Sequence, residues 1–218
     1  MDKIMTRKDK KGYAWYRLLA GFYSGYENIS SGGNNTIKQH KAKILQRLQH
    51  YTHHVDLKVV EPQQKPVCEH LTEAIKNGME TWYLPILPSI GHMKKNLKWE
   101  YGYNHLPGNL QEKYAYTEVL GPRGPFVDND LILGLILLAP SAEYPKHKHP
   151  GIEVSYLCLS GKIAYNDVGV FSTDSLIYVA PGEIHQLSSD TEEPTLLAYA
   201  WIADSNTLKN ATLEWVRD

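Results

Sequence analysis

The sequence predicts a mainly β protein in which an antiparallel barrel or sandwich follows an N-terminal α-helical extension, and three observations carry that prediction. Beyond residue 112, short runs rich in β-branched and aromatic residues alternate with turn signals: YAYTEVL, LILGLILLAP, EVSYLCLSG, KIAYNDVGVF, SLIYVAPGE and PTLLAYAWI. Before residue 86, apolar side chains recur at helical rather than alternating spacing. Between these regions, PILPSIGHMKKNLKWEYGYNHLPGNL has no clear period and is punctuated by Pro and Gly, which predicts a connecting segment.

The elements follow in order. Trp15, Leu18, Leu19 and Phe22 mark a first helix within Tyr13 to Ser30, and SGGNN at 31–35 ends it. From Thr36, Ile37, Ile44, Leu45, Leu48 and Tyr51 mark a second, which stops at the valines and Pro62. Leu71, Ile75 and Met79, each four residues apart, mark a third over Val67 to Trp82. The expected division is a helical extension at 1–85, a connecting segment at 86–112, the β-barrel at 113–205 and a C-terminal tail at 206–218. Either the helices pack around the barrel or they form a homodimer interface; the sequence leaves both open.

Composition narrows the function. Among 218 residues, 42% are apolar and 22% charged, which is ordinary globular usage. With 23 basic against 24 acidic residues there is no broad positive field, so nucleic acid is not an expected partner. The longest apolar run, Leu131 to Pro140, falls short of the roughly 20 residues a bilayer span needs, so no membrane partner is expected. The charged start MDKIMTRKDKKGY lacks the apolar stretch of a signal peptide, and Cys68 and Cys158 are too few for a disulfide framework. A soluble, cytoplasmic protein acting on a small molecule is the expectation.

The chemistry concentrates in AEYPKHKHPGIEVSYLCLSG, residues 142–161. On an extended strand, alternation points His147 and His149 the same way, with Lys148 opposite. After the Pro150-Gly151 turn, Glu153 can return a carboxylate to the same point, and His185 in APGEIH can add a third imidazole. Three imidazoles and a carboxylate, with no Cys, suit one borderline divalent metal ion: Zn, Fe, Mn, Co or Ni. Other features take plainer readings. His53 and His54 sit where a helix C-terminus favours cations, and Cys158 in its apolar strand reads as a small buried hydrophobe.

With H-x-H, a carboxylate after three intervening residues and P-G-x-x-H downstream, the chain resembles the cupin superfamily. More narrowly, from Tyr114 to Ile202 it resembles the cupin-type dimethylsulfoniopropionate lyases and lyase-like relatives, on the GPRGPF lead-in and on Tyr144 three residues before His147. The resemblance implies a jelly-roll type barrel and a carbon–sulfur lyase that cleaves a zwitterion to dimethyl sulfide and acrylate by β-elimination. Tyr144 matches one family tyrosine. The other normally follows the ligand glutamate by two residues, where this chain has Ser155, and Tyr156 comes one later. Tyr144 and Tyr156 are both candidate proton acceptors: on a regular strand Tyr156 would face away from Glu153, so it needs a bulge to act, and without one Tyr144 is the stronger candidate. Tyr199 and Trp201 share a strand face and could cradle the sulfonium by cation–π contact. Tyr103 and His105 could close the barrel mouth. The competing readings are a metal-dependent dioxygenase or sugar isomerase and a non-catalytic small-carboxylate-binding barrel.

Overall fold

The structure, a computed structural model, describes residues 4–216 except 7, 53–54, 82–84, 103–105, 107 and 212. His53, His54, Tyr103 and His105 lie outside the described residues. A short strand β1 (Ile4–Met5) precedes α1 (Lys10–Asn28) and α2 (Asn35–Gln49). The break between these helices is a capping event: the Asn34 carboxamide oxygen accepts from the N–H groups of Thr36 at 2.8 Å and Ile37 at 3.2 Å. β2 (Leu57–Lys58) pairs with β1, and a 3-10 turn at Pro66–His70 leads into α3 (Leu71–Thr81).

The expected connecting segment contains a further helix, α4 (Ile86–Met93), and a single turn, α5 (Leu110–Lys113). Pro85 and Pro88 disguise α4, yet Pro is tolerated at the first turn of a helix, where the missing N–H has no intrahelical acceptor. Ile86, Leu87, Ile90 and Met93 are buried, so its apolar face packs inward. Gly21 of α1 allows the close approach, because a Cβ there would lie 2.7 Å from the Ile86 Cα. Among the described residues no helix is long and apolar enough to cross a membrane.

The barrel is two antiparallel five-stranded sheets. β3 (Tyr114–Leu120), β4 (Leu131–Leu138), β6 (Glu153–Ser160), β9 (Leu176–Val179) and β11 (Thr195–Ile202) form one, in the order β3-β4-β11-β6-β9. β5 (Glu143–Lys148), β7 (Lys162–Tyr165), β8 (Gly169–Ser172), β10 (His185–Ser189) and β12 (Glu214–Trp215) form the other, ordered β12-β5-β10-β7-β8. A short helix α6 (Ser205–Lys209) precedes β12, so the expected tail supplies a strand of the second sheet.

The first sheet is buried on both faces, which explains why its strands read as almost continuous apolar runs. Leu133, Leu135, Leu137, Leu157, Leu159, Leu196, Ala198 and Ala200 point outward into a core shared with α1, α3 and α4. The alternate residues Ile132, Val154, Tyr156, Leu197 and Tyr199 point into the barrel. Thus the helical extension packs on the outside of the barrel, and the inner core is free to carry a site.

Candidate functional site

Strands β5 and β10 bring the histidines together. His147 and His185 are direct register partners, with ring centroids 4.1 Å apart. His149, just beyond β5, lies 5.0 Å from His147 and 5.5 Å from His185 by ring centroid. All three are buried, and one ring nitrogen from each lies within 4.8 Å of the others. Their tautomers follow from backbone carbonyls, which can only accept. His147 Nδ1–H donates to Pro145 O at 2.8 Å and His185 Nδ1–H to Glu183 O at 3.1 Å, leaving each Nε2 lone pair turned to the cluster.

Burial, and then the neighbouring imidazoles, push His147 down to about 2; burial lowers His185 as well. These rings are therefore neutral near pH 7, the form in which imidazole binds a metal. The His147 Nε2 is buried with no hydrogen-bond partner among the described residues. A buried acceptor left in this way is costly unless something occupies it, so the donor set fits a borderline divalent ion.

A bulge aims Tyr144 at the same point. His185 pairs with His147 but Leu187 pairs with Tyr144, so three steps along β5 match two along β10. Without that extra residue, Tyr144 and His147 would face opposite sides. With it, their rings lie 4.8 Å apart.

Glu153 does not join the histidines. Its carboxylate accepts from Lys43 Nζ at 2.5 Å and lies 3.1 Å from His40 Nδ1, both on α2 outside the barrel. Strand alternation is the reason: β6 runs in regular register from Glu153 to Tyr156 against β11 and from Val154 to Leu157 against β9, with Val154 and Tyr156 inward and Glu153 and Ser155 outward. Tyr156 accordingly needs no bulge to enter the site. Its hydroxyl lies 3.1 Å from His185 Nε2.

The cavity beside the cluster is lined by His147, His149, Tyr144, Tyr156, Tyr199 and Trp201. Tyr199 crosses β4 above Gly134, where a Cβ would meet its ring at 2.6 Å. The Trp201 ring lies 4.5 Å from His149, and its indole N–H is buried with no partner among the described residues. Burial pushes the Tyr199 phenol well above its usual range, so it presents a neutral ring. Cys158 faces the inner core with its thiol pushed up to about 12 by burial, in keeping with its reading as a small hydrophobe.

Two cavity residues and one neighbour of the histidines escape sequence reasoning. Tyr116 sits on β3, and Arg123 lies in the following loop, where buried Glu118 accepts from the Arg123 N–H at 2.7 Å, the Gly124 N–H at 2.9 Å and Arg123 Nε at 3.4 Å. The lead-in GPRGPF held a signal for Arg123. Trp215 on β12 places its ring 5.6 Å from Tyr144 and 5.9 Å from His147, and nothing in the tail sequence marked it.

Comparison with known proteins places these features in a family. Residues 38–197 match the family model described as dimethylsulfoniopropionate lyase. A Cereibacter sphaeroides protein that carries the name dimethylsulfoniopropionate lyase DddL is 37% identical over 203 residues, covering 89% of this chain and 84% of that one. In three dimensions, DddQ from Ruegeria pomeroyi DSS-3, described as a DMSP lyase, is similar with a TM-score of 0.67 at 17% identity, over 88% of this chain and 92% of that one. A chain reported among crystal structures of the DMSP lyases RdDddP and RnDddQII also gives 0.67, at 15% identity, over 94% of this chain and 98% of that one. At such identities the two structures speak for the shared fold.

Proposed function

We infer that this chain, which belongs to the dimethylsulfoniopropionate lyase family, is a carbon–sulfur lyase that cleaves dimethylsulfoniopropionate to dimethyl sulfide and acrylate in the barrel cavity. The observation that carries this assignment to a place in the molecule is the buried cluster His147, His149 and His185 beside the Tyr156 hydroxyl. These three histidines would hold a divalent metal ion, which when bound supplies Lewis acidity toward the substrate carboxylate.

The chain's own residues account for the rest. Tyr199 and Trp201 line the cavity, and a sulfonium is stabilised over aromatic rings by cation–π attraction and by exclusion of water. Tyr156 is the proton acceptor: in its ionised form its oxygen takes a proton from the carbon next to the carboxylate. The electron pair left behind forms the carbon–carbon double bond of acrylate. The carbon–sulfur bond breaks as it forms, and its electrons leave with neutral dimethyl sulfide. Tyr144, held against His147, flanks this reaction and is the second tyrosine able to meet substrate.

Headspace dimethyl sulfide measured over the metal-loaded protein and dimethylsulfoniopropionate tests the reading. Release well above a His149→Ala control is expected. Release no greater than that control would remove the lyase assignment.

A further inference from the structure

We propose that Trp215 is a positioning residue for the three-histidine centre, so that the C-terminal strand β12 helps to set metal affinity; the inference rests on the metal reading above. Trp215 is the register partner of His147, and its ring packs against the rings of both His147 and Tyr144. The segment is led to this place step by step. Asp204 caps α6 through the N–H groups of Asn206 and Thr207, Leu208 is buried in the inner core, and Ala211 lines the cavity.

The rest of the β12 docking is slight. Two register pairs hold it, Val216 N–H donates to Lys146 O at 2.9 Å, and the Lys148–Glu214 ion pair at 3.0 Å is exposed. An exposed pair contributes little, so the indole is the part of β12 with the most to anchor. It is also well placed to matter. His147 is tethered at Nδ1 by one carbonyl, and without β12 the strand that carries it would be the open edge of its sheet. An imidazole free to tilt about χ2 presents its Nε2 poorly, and groups that fix a ligand's orientation typically control metal affinity by about 10–100-fold.

Cobalt(II) is the probe, titrated into metal-free full-length protein and followed by its visible absorption bands. Trp215→Leu keeps apolar bulk but removes the ring, and Trp215→Phe restores a ring. Leu213→Ala thins the packing of the same segment against the inner core while leaving the Trp215 ring in place. Trp215→Leu is expected to weaken binding about tenfold or more and to change the band shape, with Trp215→Phe recovering most of the loss. Leu213→Ala should bind like the parent. Unchanged affinity and spectrum in Trp215→Leu would overturn the positioning role while leaving the metal centre standing, and so would a loss in Leu213→Ala as large as in Trp215→Leu. A parent protein that does not bind cobalt would overturn the metal reading and this inference together.

Discussion

The two faces of strand β6 carry polar groups of similar kind and put them to different uses. Inward, Tyr156 meets His185 beside a cavity. Outward, Ser155 Oγ lies 2.9 Å from His40 Nε2, and His40 Nδ1 lies 3.1 Å from Glu153, a serine–histidine–carboxylate chain in the order used by hydrolases. Ser155 is fully buried and its hydroxyl also meets Tyr26 at 3.1 Å, so no substrate can reach it. That chain fastens the helical layer to the barrel. Residue types alone do not make a site; access and an unfilled acceptor do.

Substitutions on the two faces should therefore separate activity from stability. On the inner face, Tyr156→Phe is expected to lower kcat by about 10²–10⁴-fold while the protein unfolds near the parent's midpoint, as loss of an acid–base group does. Steady-state dimethyl sulfide kinetics beside a denaturant titration will show whether that holds. On the outer face, His40→Ala leaves Ser155 and Glu153 short of a partner. It is expected to cost roughly 2–3 kcal/mol in denaturant unfolding, with kcat of the folded fraction retained.

Acid should distinguish the metal-free and metal-loaded forms. His147 and His185 titrate in the native protein below their usual range, so below about pH 6.5 the unfolded chain binds more protons than the native one. Stability of the metal-free protein is expected to fall as pH drops from there, by up to about 1.4 kcal/mol per pH unit for each histidine. Thermal unfolding across pH 4–7, with and without added metal, measures the slope. A flat profile in the metal-free protein would contradict the neutral, buried state of these rings.

Much of this was legible in the sequence. Alternation and turn spacing identified the barrel, and H-x-H with a distant P-G-x-x-H identified the three histidines, because strand periodicity and Pro-Gly turns are local rules. What the rules could not supply was the face on which β6 enters. Counting from His149, Glu153 looks able to return to the cluster, yet the turn at Gly151 delivers Val154 and Tyr156 inward instead. The bulge expected near Tyr156 occurs on β5, where it re-aims Tyr144, and bulges depend on pairing that a single strand does not encode. Trp215 was hidden for the same reason, since a two-residue edge strand has no period to read. α4 was hidden by prolines that lie where a helix tolerates them.

A small effect on stability, and none on activity, is expected of Glu153, and it is also the sharpest test of which face carries the chemistry. Its carboxylate is partly exposed and paired with Lys43 and His40, so Glu153→Gln should cost about 1 kcal/mol or less. The decisive measurement is the metal content of that variant after loading and desalting, set beside His149→Ala. Glu153→Gln is expected to retain metal as the parent does, with dimethyl sulfide release intact, while His149→Ala loses both. A Glu153→Gln protein that loses its metal as His149→Ala does would contradict a metal centre on the inner face.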